Sequence, residues 1–192
     1  MLCLEHEEEA SSTFAGAEER GGGAMSGLGT LPPRIRKGGP DDAPACAAIE
    51  AECARQFRAS PHPQVADRPA APATAHVAAA ERGELFVIEP GETAPEAQGG
   101  IAGFAWLIAA PPCLHVAEID VAPRFQRRGL ARALLAHAEG LARARGFAHL
   151  CLTTFTDVAW NAPAYARMGF RPIPADEIPE ICRADAMRLA AL

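Results

Sequence analysis

The sequence predicts a mixed α/β fold, and three observations lead to it. Apolar runs of strand length alternate with helical stripes from residue 34 onward. The strongest helical stripe directly follows an apolar strand, across a turn that carries a glycine. The length of 192 residues suits one compact core, with most of the Leu, Ile, Val and Phe placed after residue 84. The 49% hydrophobic share includes 43 Ala, which bury little area apiece, so the larger side chains decide the core.

The elements follow in order. Residues 1–33 are rich in Glu, Gly, Ser and Ala with no sustained period and are expected to be a disordered tail. Met25, directly after Glu-Glu-Arg-Gly-Gly-Gly, is expected as an alternative start of translation. Residues 34–192 form the predicted domain. Arg34–Lys37 is a strand candidate, and Gly-Gly-Pro-Asp-Asp then signals a turn and helix start, with Asp42 as cap. A helix over about 43–58 places Cys46, Ile49, Cys53 and Phe57 on one face. The Pro-rich stretch 59–74 reads as loop, and 75–82 as a short helix ending at Gly83. Leu85–Glu89, Ile101–Ala109 and Leu114–Val121 are strands, with Pro90–Gly100 a polar hairpin loop and Phe104 and Trp106 on one face. The long helix 128–145 carries Leu130, Leu134, Ala138 and Leu141 in a stripe and stops at Gly146. Leu150–Thr154 is a strand and 162–168 a short helix stopped by Gly169. Phe170–Pro172 and Ala186–Ala190 are expected to supply a final strand pair.

Composition narrows the function classes. No apolar run approaches the roughly 20 residues of a membrane span, and the acidic N-terminus lacks the basic and apolar regions of a signal peptide. Six cysteines form no CxxC pair and no clustered Cys/His ligand spacing, which predicts free thiols in a reducing cytosol and no metal. Cys113 and Cys151 are expected to pack as small hydrophobes. Seventeen Arg against one Lys, with the Ala excess, is a compositional bias rather than a nucleic-acid signature. The net charge of −6 is also misleading: residues 1–24 hold six Glu and one Arg, and the rest is close to neutral.

The informative segment is Val121-Ala122-Pro123-Arg124-Phe125-Gln126-Arg127-Arg128-Gly129-Leu130-Ala131. A helix starting here leaves backbone N–H groups unpaired and points its positive dipole end at the turn. Gly129 and Ala131 allow close approach to the main chain, and Arg124, Arg127, Arg128 and Arg132 surround the same end. The combination fits a pyrophosphate cradle; the plain alternative is an ordinary helix start with solvated arginines. No Gly-Lys-Ser/Thr follows, so it is not a P-loop, and G-x-G-x-x-G is absent here. No helix-turn-helix companion precedes the basic helix, which disfavours DNA contact.

Gln126-Arg127-Arg128-Gly129-Leu130-Ala131 resembles the Q/R-x-x-G-x-G/A signature of the GNAT superfamily of acetyl-CoA-dependent N-acetyltransferases. Leu114–Pro123 looks like that family's central strand, and Tyr165-Ala166-Arg167-Met168-Gly169-Phe170 is similar to its Y-x-x-x-G-F ending. Thr153–Pro163 further resembles a subgroup with a T-T-F-x-D-V-P-W-N-x-P stretch. The resemblance implies a mixed central sheet of about six or seven strands flanked by about four helices. It also implies a cytoplasmic acyltransferase with acetyl-CoA as cosubstrate and no metal. The acceptor would be a small-molecule or peptide amine, with neither nucleic acid nor membrane as partner, and family habit implies a homodimer.

By that resemblance, the coenzyme pyrophosphate sits on Gln126, Arg127, Arg128, Gly129, Leu130, Ala131 and Arg132. The pantetheine arm runs beside Ile119–Val121, where this strand splays from Leu150–Thr154, and an N–H near Val121 meets the acetyl carbonyl. Tyr165, the chain's single Tyr, stands where the family puts its proton donor; its plainer role is packing. The general base is open between His115, six residues before Val121, and Glu118, whose strand parity is wrong unless a bulge resets it. His115 is narrowly preferred, and Glu118 could equally bind a cationic acceptor. Where the family places an Asn seven residues before the Tyr, this chain has Val158; Asn161 either caps the following helix or contacts the coenzyme. Asp157, Asp120 and Glu118 would make the acceptor site acidic, and Trp160 would wall it or fill core. A non-catalytic acyl-CoA-binding sensor is the alternative function.

Overall fold

The computed structural model describes residues 2–6, 33–91 and 100–191. Among the described residues, seven strands form one sheet: β1 (Leu2–His6), β2 (Arg34–Lys37), β3 (Leu85–Glu89), β4 (Gly103–Ala110), β5 (Cys113–Val121), β6 (His149–Thr154) and β7 (Arg171–Pro172). Their spatial order is β2-β3-β4-β5-β6-β1-β7, antiparallel throughout except for the parallel β5–β6 pair. That parallel pair needs a crossover, which α3 (Leu130–Ala144) supplies.

The helices cover both faces. Phe104 and Trp106 of β4 meet His76 of α2 (Ala73–Glu81), with ring centroids 5.4 and 5.7 Å apart. Phe86 of β3, on the opposite face by cross-strand register, meets His137 of α3 at 5.2 Å. Leu130, Leu134, Leu135, Ala138 and Ala142 are the buried stripe of α3, and burying each Leu contributes about 1.5–3 kcal/mol. Leu141, assigned to that stripe, is half-buried and packs at its edge. The first helix, α1 (Ala43–Ala54), buries Cys46, Ile49 and Cys53 as the period requires, and a 3-10 turn over Arg55–Ala59 continues it. A second 3-10 turn, Pro63–Asp67, lies within the Pro-rich stretch. A short α4 (Ala162–Ala166) and α5 (Glu180–Ala190) complete the domain.

Two expectations need correction. Leu2–His6 are not a disordered tail: they pair antiparallel with β6, from Leu2↔Thr154 to His6↔Leu150, and with β7. Five residues carry too short a period to stand out against the Glu-, Gly- and Ser-rich stretch behind them, and the pairing is long-range. The rest of the expected tail, including the Met25 start, lies outside the described residues. Second, Ala186–Ala190 is helix, not strand. The backbone partner expected from it is supplied by β1, and the Cys182 side of α5 packs on the sheet with Ile173.

Candidate functional site

The β5–β6 ladder runs only from Cys113↔His149 to Val116↔Leu152, and beyond it the two strands part. On its other side β5 remains paired with β4 to Gly103↔Val121. Ala122 N–H donates to Ala102 O at 2.9 Å. By antiparallel alternation, the main-chain groups of Ile119 and Val121 therefore face the widening gap instead of β4. A Cβ at Gly103 would fall 2.5 Å from Asp120 O, so glycine lets β4 follow β5 closely here. The expected splay, and the place of Ile119 and Val121 beside it, are present.

At one end of the gap lies the turn into α3. Buried Phe125 anchors it, with the Arg124 and Arg128 guanidinium groups 4.9 and 5.4 Å from its ring centroid. Gln126 Nε2 donates to Val121 O at 3.0 Å, tying the turn back to the strand end. Arg127 (φ 61°) and Gly129 (φ 80°) adopt left-handed backbone, and Gly129 begins α3 without any side-chain cap. The first turn's N–H groups, from Leu130, Ala131 and Arg132, are thus left for an external acceptor. The side chains of Arg127, Arg128, Ala131 and Arg132 are exposed around them. Such an arrangement can act as a cradle for an anion, with the helix dipole and the arginines attracting it together.

At the other end the gap deepens into a cleft of about 160 Å³ lined by Cys53, Phe57, Glu118, Asp120, Asn161 and Tyr165 among others. It adjoins a second cavity of about 400 Å³ lined by His115, Glu118, Trp106, Ile181 and Asp185. Glu50, Arg68, Asp185 and Arg188 border both. Trp106 pairs with Glu118 and Leu107 with Val116, so Ala117 is an extra residue bulging from β5. This bulge resets parity, and His115 and Glu118 reach one cavity although three residues apart.

The electrostatics separate the candidates. Burial first, then the charge of Glu50, pushes the Glu118 carboxyl up to about 7. Asp120 is also raised, by burial and by Glu118. Burial pushes Glu50 up too, but His76 and the Ala71 N–H (2.9 Å) outweigh it and hold Glu50 below its ordinary value. Burial and then Glu118 raise the Tyr165 phenol, which therefore stays protonated. His115 is buried, with Nδ1 3.7 Å from Cys151 Sγ and 3.6 Å from Cys182 Sγ.

Other expected residues fall differently. Asn161 lines the cleft and makes no side-chain cap. Asp157 instead faces His62 at 2.8 Å outside the cleft lining, and Trp160 is 47% exposed against Phe57. The sequence reading missed Glu50, Arg68, Asp185 and Arg188. Glu50 alone carried a signal, an acid beside the apolar stripe of α1; the others lie on a loop and on a segment expected to be strand.

The model of the acetyltransferase (GNAT) family matches residues 47–170, well over half of the chain. A streptothricin acetyltransferase from Streptomyces lavendulae is 44% identical over 79 residues, spanning 38% of this chain and 40% of that protein's length. Among solved structures, the PaiA N-acetyltransferase from Thermoplasma acidophilum, in complex with coenzyme A, is similar with a TM-score of 0.55 at 13% identity. It covers 71% of this chain and 86% of its own. The N-acetylglutamate synthase from Neisseria gonorrhoeae, complexed with coenzyme A and N-acetyl-glutamate, gives 0.57 at 22% identity, over 84% of this chain and 33% of its own. At these identities the two structures speak for the fold. No helix among the described residues is long and apolar enough to cross a membrane.

Proposed function

The chain belongs to the acetyltransferase (GNAT) family, and we propose that it transfers the acetyl group of acetyl-CoA to a primary amine by direct attack in a ternary complex. The observation that carries this reading is the gap between β5 and β6, open from the anion cradle at α3 to the carboxylates of the cleft. In this reading the coenzyme pyrophosphate accepts from the N–H groups of Leu130, Ala131 and Arg132, with Arg127 and Arg128 adding charge. Gly129 leaves the approach open, and Gln126 holds the turn against Val121. The pantetheine arm runs along Ile119 and Val121, with Asn161 lining the cleft beyond.

The chemistry needs a neutral amine and a protonated leaving group. Glu118, with its carboxyl near 7, takes a proton from the acceptor ammonium directly or through water. The amine attacks the thioester carbonyl, and the oxyanion meets the Val121 N–H. The C–S bond then breaks, and the Tyr165 phenol protonates the departing thiolate. The surplus proton on the new amide nitrogen passes through water to the Tyr165 phenolate, and Glu118 releases its proton to solvent. His115 gives up its preferred place as base because its Nδ1 faces two thiols rather than the reaction. Glu118 and Asp120 share the cleft with their carboxyls raised, and a cationic amine would supply the positive charge that favours their ionised forms.

Thiol release from acetyl-CoA, measured against streptothricin, amino acids, polyamines and peptide N-termini, tests the reading. Amine-dependent release is expected. Coenzyme that protects against unfolding while no amine provokes release would overturn it in favour of an acyl-CoA sensor.

A further inference from the structure

Behind the cleft, α5 closes over the paired part of β5 and β6 and brings together residues far apart in sequence. His115 Nδ1 stands 3.6 Å from Cys182 Sγ and 3.7 Å from Cys151 Sγ. All three residues are buried, and their donor atoms lie within 4.8 Å of one another. A zinc ion with Zn–S of about 2.3 Å and Zn–N of about 2.0–2.1 Å in tetrahedral geometry spaces its S and N ligands by about 3.5–3.6 Å. The two observed N–S separations lie within about 0.2 Å of that length.

We propose that His115, Cys151 and Cys182 form a binding site for one zinc-class divalent cation. Binding replaces the two thiol protons of Cys151 and Cys182, so the two thiolates and the ion sum to zero charge. That neutrality is what a buried site demands. The imidazole binds through Nδ1 in its neutral form, leaving Nε2–H toward Asp185 Oδ2, 3.8 Å away. Asp185 is itself held by the Arg188 guanidinium, as outer carboxylates that orient a metal-bound histidine are held. Cys113 is not part of the ligand set: its Sγ is 2.6 Å from Cys151 Sγ, whereas two thiolates on one zinc stand about 3.8 Å apart. The fourth position falls to water. The cavity lined by His115, Ile181, Ala184 and Asp185 is the way in.

The test uses the full chain, stripped by a chelator under a phosphine reductant and titrated with Co²⁺, then Zn²⁺. One equivalent of Co²⁺ should give a thiolate-to-cobalt charge-transfer band with tetrahedral ligand-field bands, and Zn²⁺ should displace it. Cys182→Ser should weaken cobalt binding by at least about a hundredfold, while Cys46→Ser, on α1 away from the cluster, should bind as the parent does. Should Cys182→Ser fail to fold, X-ray absorption of the zinc-loaded parent reads two sulfur ligands and one imidazole directly. Absence of the charge-transfer band, or a band that persists in folded Cys182→Ser, overturns the proposal. So does a zinc shell without sulfur.

Discussion

Glu118 of β5 stands opposite Trp106 of β4, and the next pair in the ladder skips Ala117 to join Val116 with Leu107. One inserted residue turns the carboxyl into the cleft, where burial and Glu50 raise it to about 7. As the proposed base, Glu118 must be ionised to work, so kcat/KM should fall below about pH 7 in the parent. Glu118→Gln should lose most turnover together with that acidic limb. A limb that persists in Glu118→Gln and disappears in His115→Ala would return the role to His115.

The same residue should cost stability. A carboxyl raised on folding favours the protonated form, so stability falls as pH rises from its ordinary value of 4.5 toward about 7. Glu118→Gln should therefore raise Tm at pH 8 more than at pH 5, in opposition to its effect on activity. Thermal unfolding at the two pH values reads the difference.

Tyr165→Phe removes the proposed proton donor but leaves the ring contact with Phe170, whose centroid is 5.7 Å away. Turnover should drop by about a hundredfold with acetyl-CoA affinity unchanged. Equal turnover in a calibrated thiol-release assay would reduce Tyr165 to a packing residue.

At the cradle, Gly129→Val places a β-branched side chain at φ 80° beside the exposed N–H groups. Backbone strain of about 1–2 kcal/mol is expected, and the approach of an anion is obstructed. Calorimetry should show acetyl-CoA binding weakened at least about tenfold. Arg127→Ala and Arg132→Ala should weaken it less, with a flatter dependence on salt.

Away from the site, Arg36 joins β2 to the start of α1 through Asp42 (2.7 and 2.9 Å) and to β3 through Glu89 (2.6 Å). Its bonds to Asp42, helped by the Gly39 N–H and opposed by burial, hold that carboxyl below its ordinary 3.8. The contribution is complete above that value and is lost as pH falls through the lower folded one. Arg36→Ala should cost about 1 kcal/mol at pH 7 and less at pH 3, measured by urea unfolding.

Local signals carried much of the fold and the cradle. Strand and helix periods placed β2 to β6 and α1 to α4 within a few residues, because each is a repeat within one segment. The turn at Gln126–Ala131 was legible because a helix start, a glycine and arginines fall within one short stretch. Ala186–Ala190 misled because so few small and apolar residues fit either period, and its contacts, not its pattern, make it helical. The bulge at Ala117 has no marker in the residues around it; it exists because β4 and β5 differ by one in register.

By itself, the sequence determined the α/β class, the family resemblance and the glycine- and arginine-bearing turn into α3, all consequences of interactions within a few residues. The tertiary structure decided which residues meet. Strand Leu2–His6 found β6, Glu118 displaced His115 as the proposed base, and Cys151 and Cys182 came to His115 across 36 and 67 residues. Such meetings are set by sheet order and helix docking, which depend on the whole chain burying its apolar surface at once.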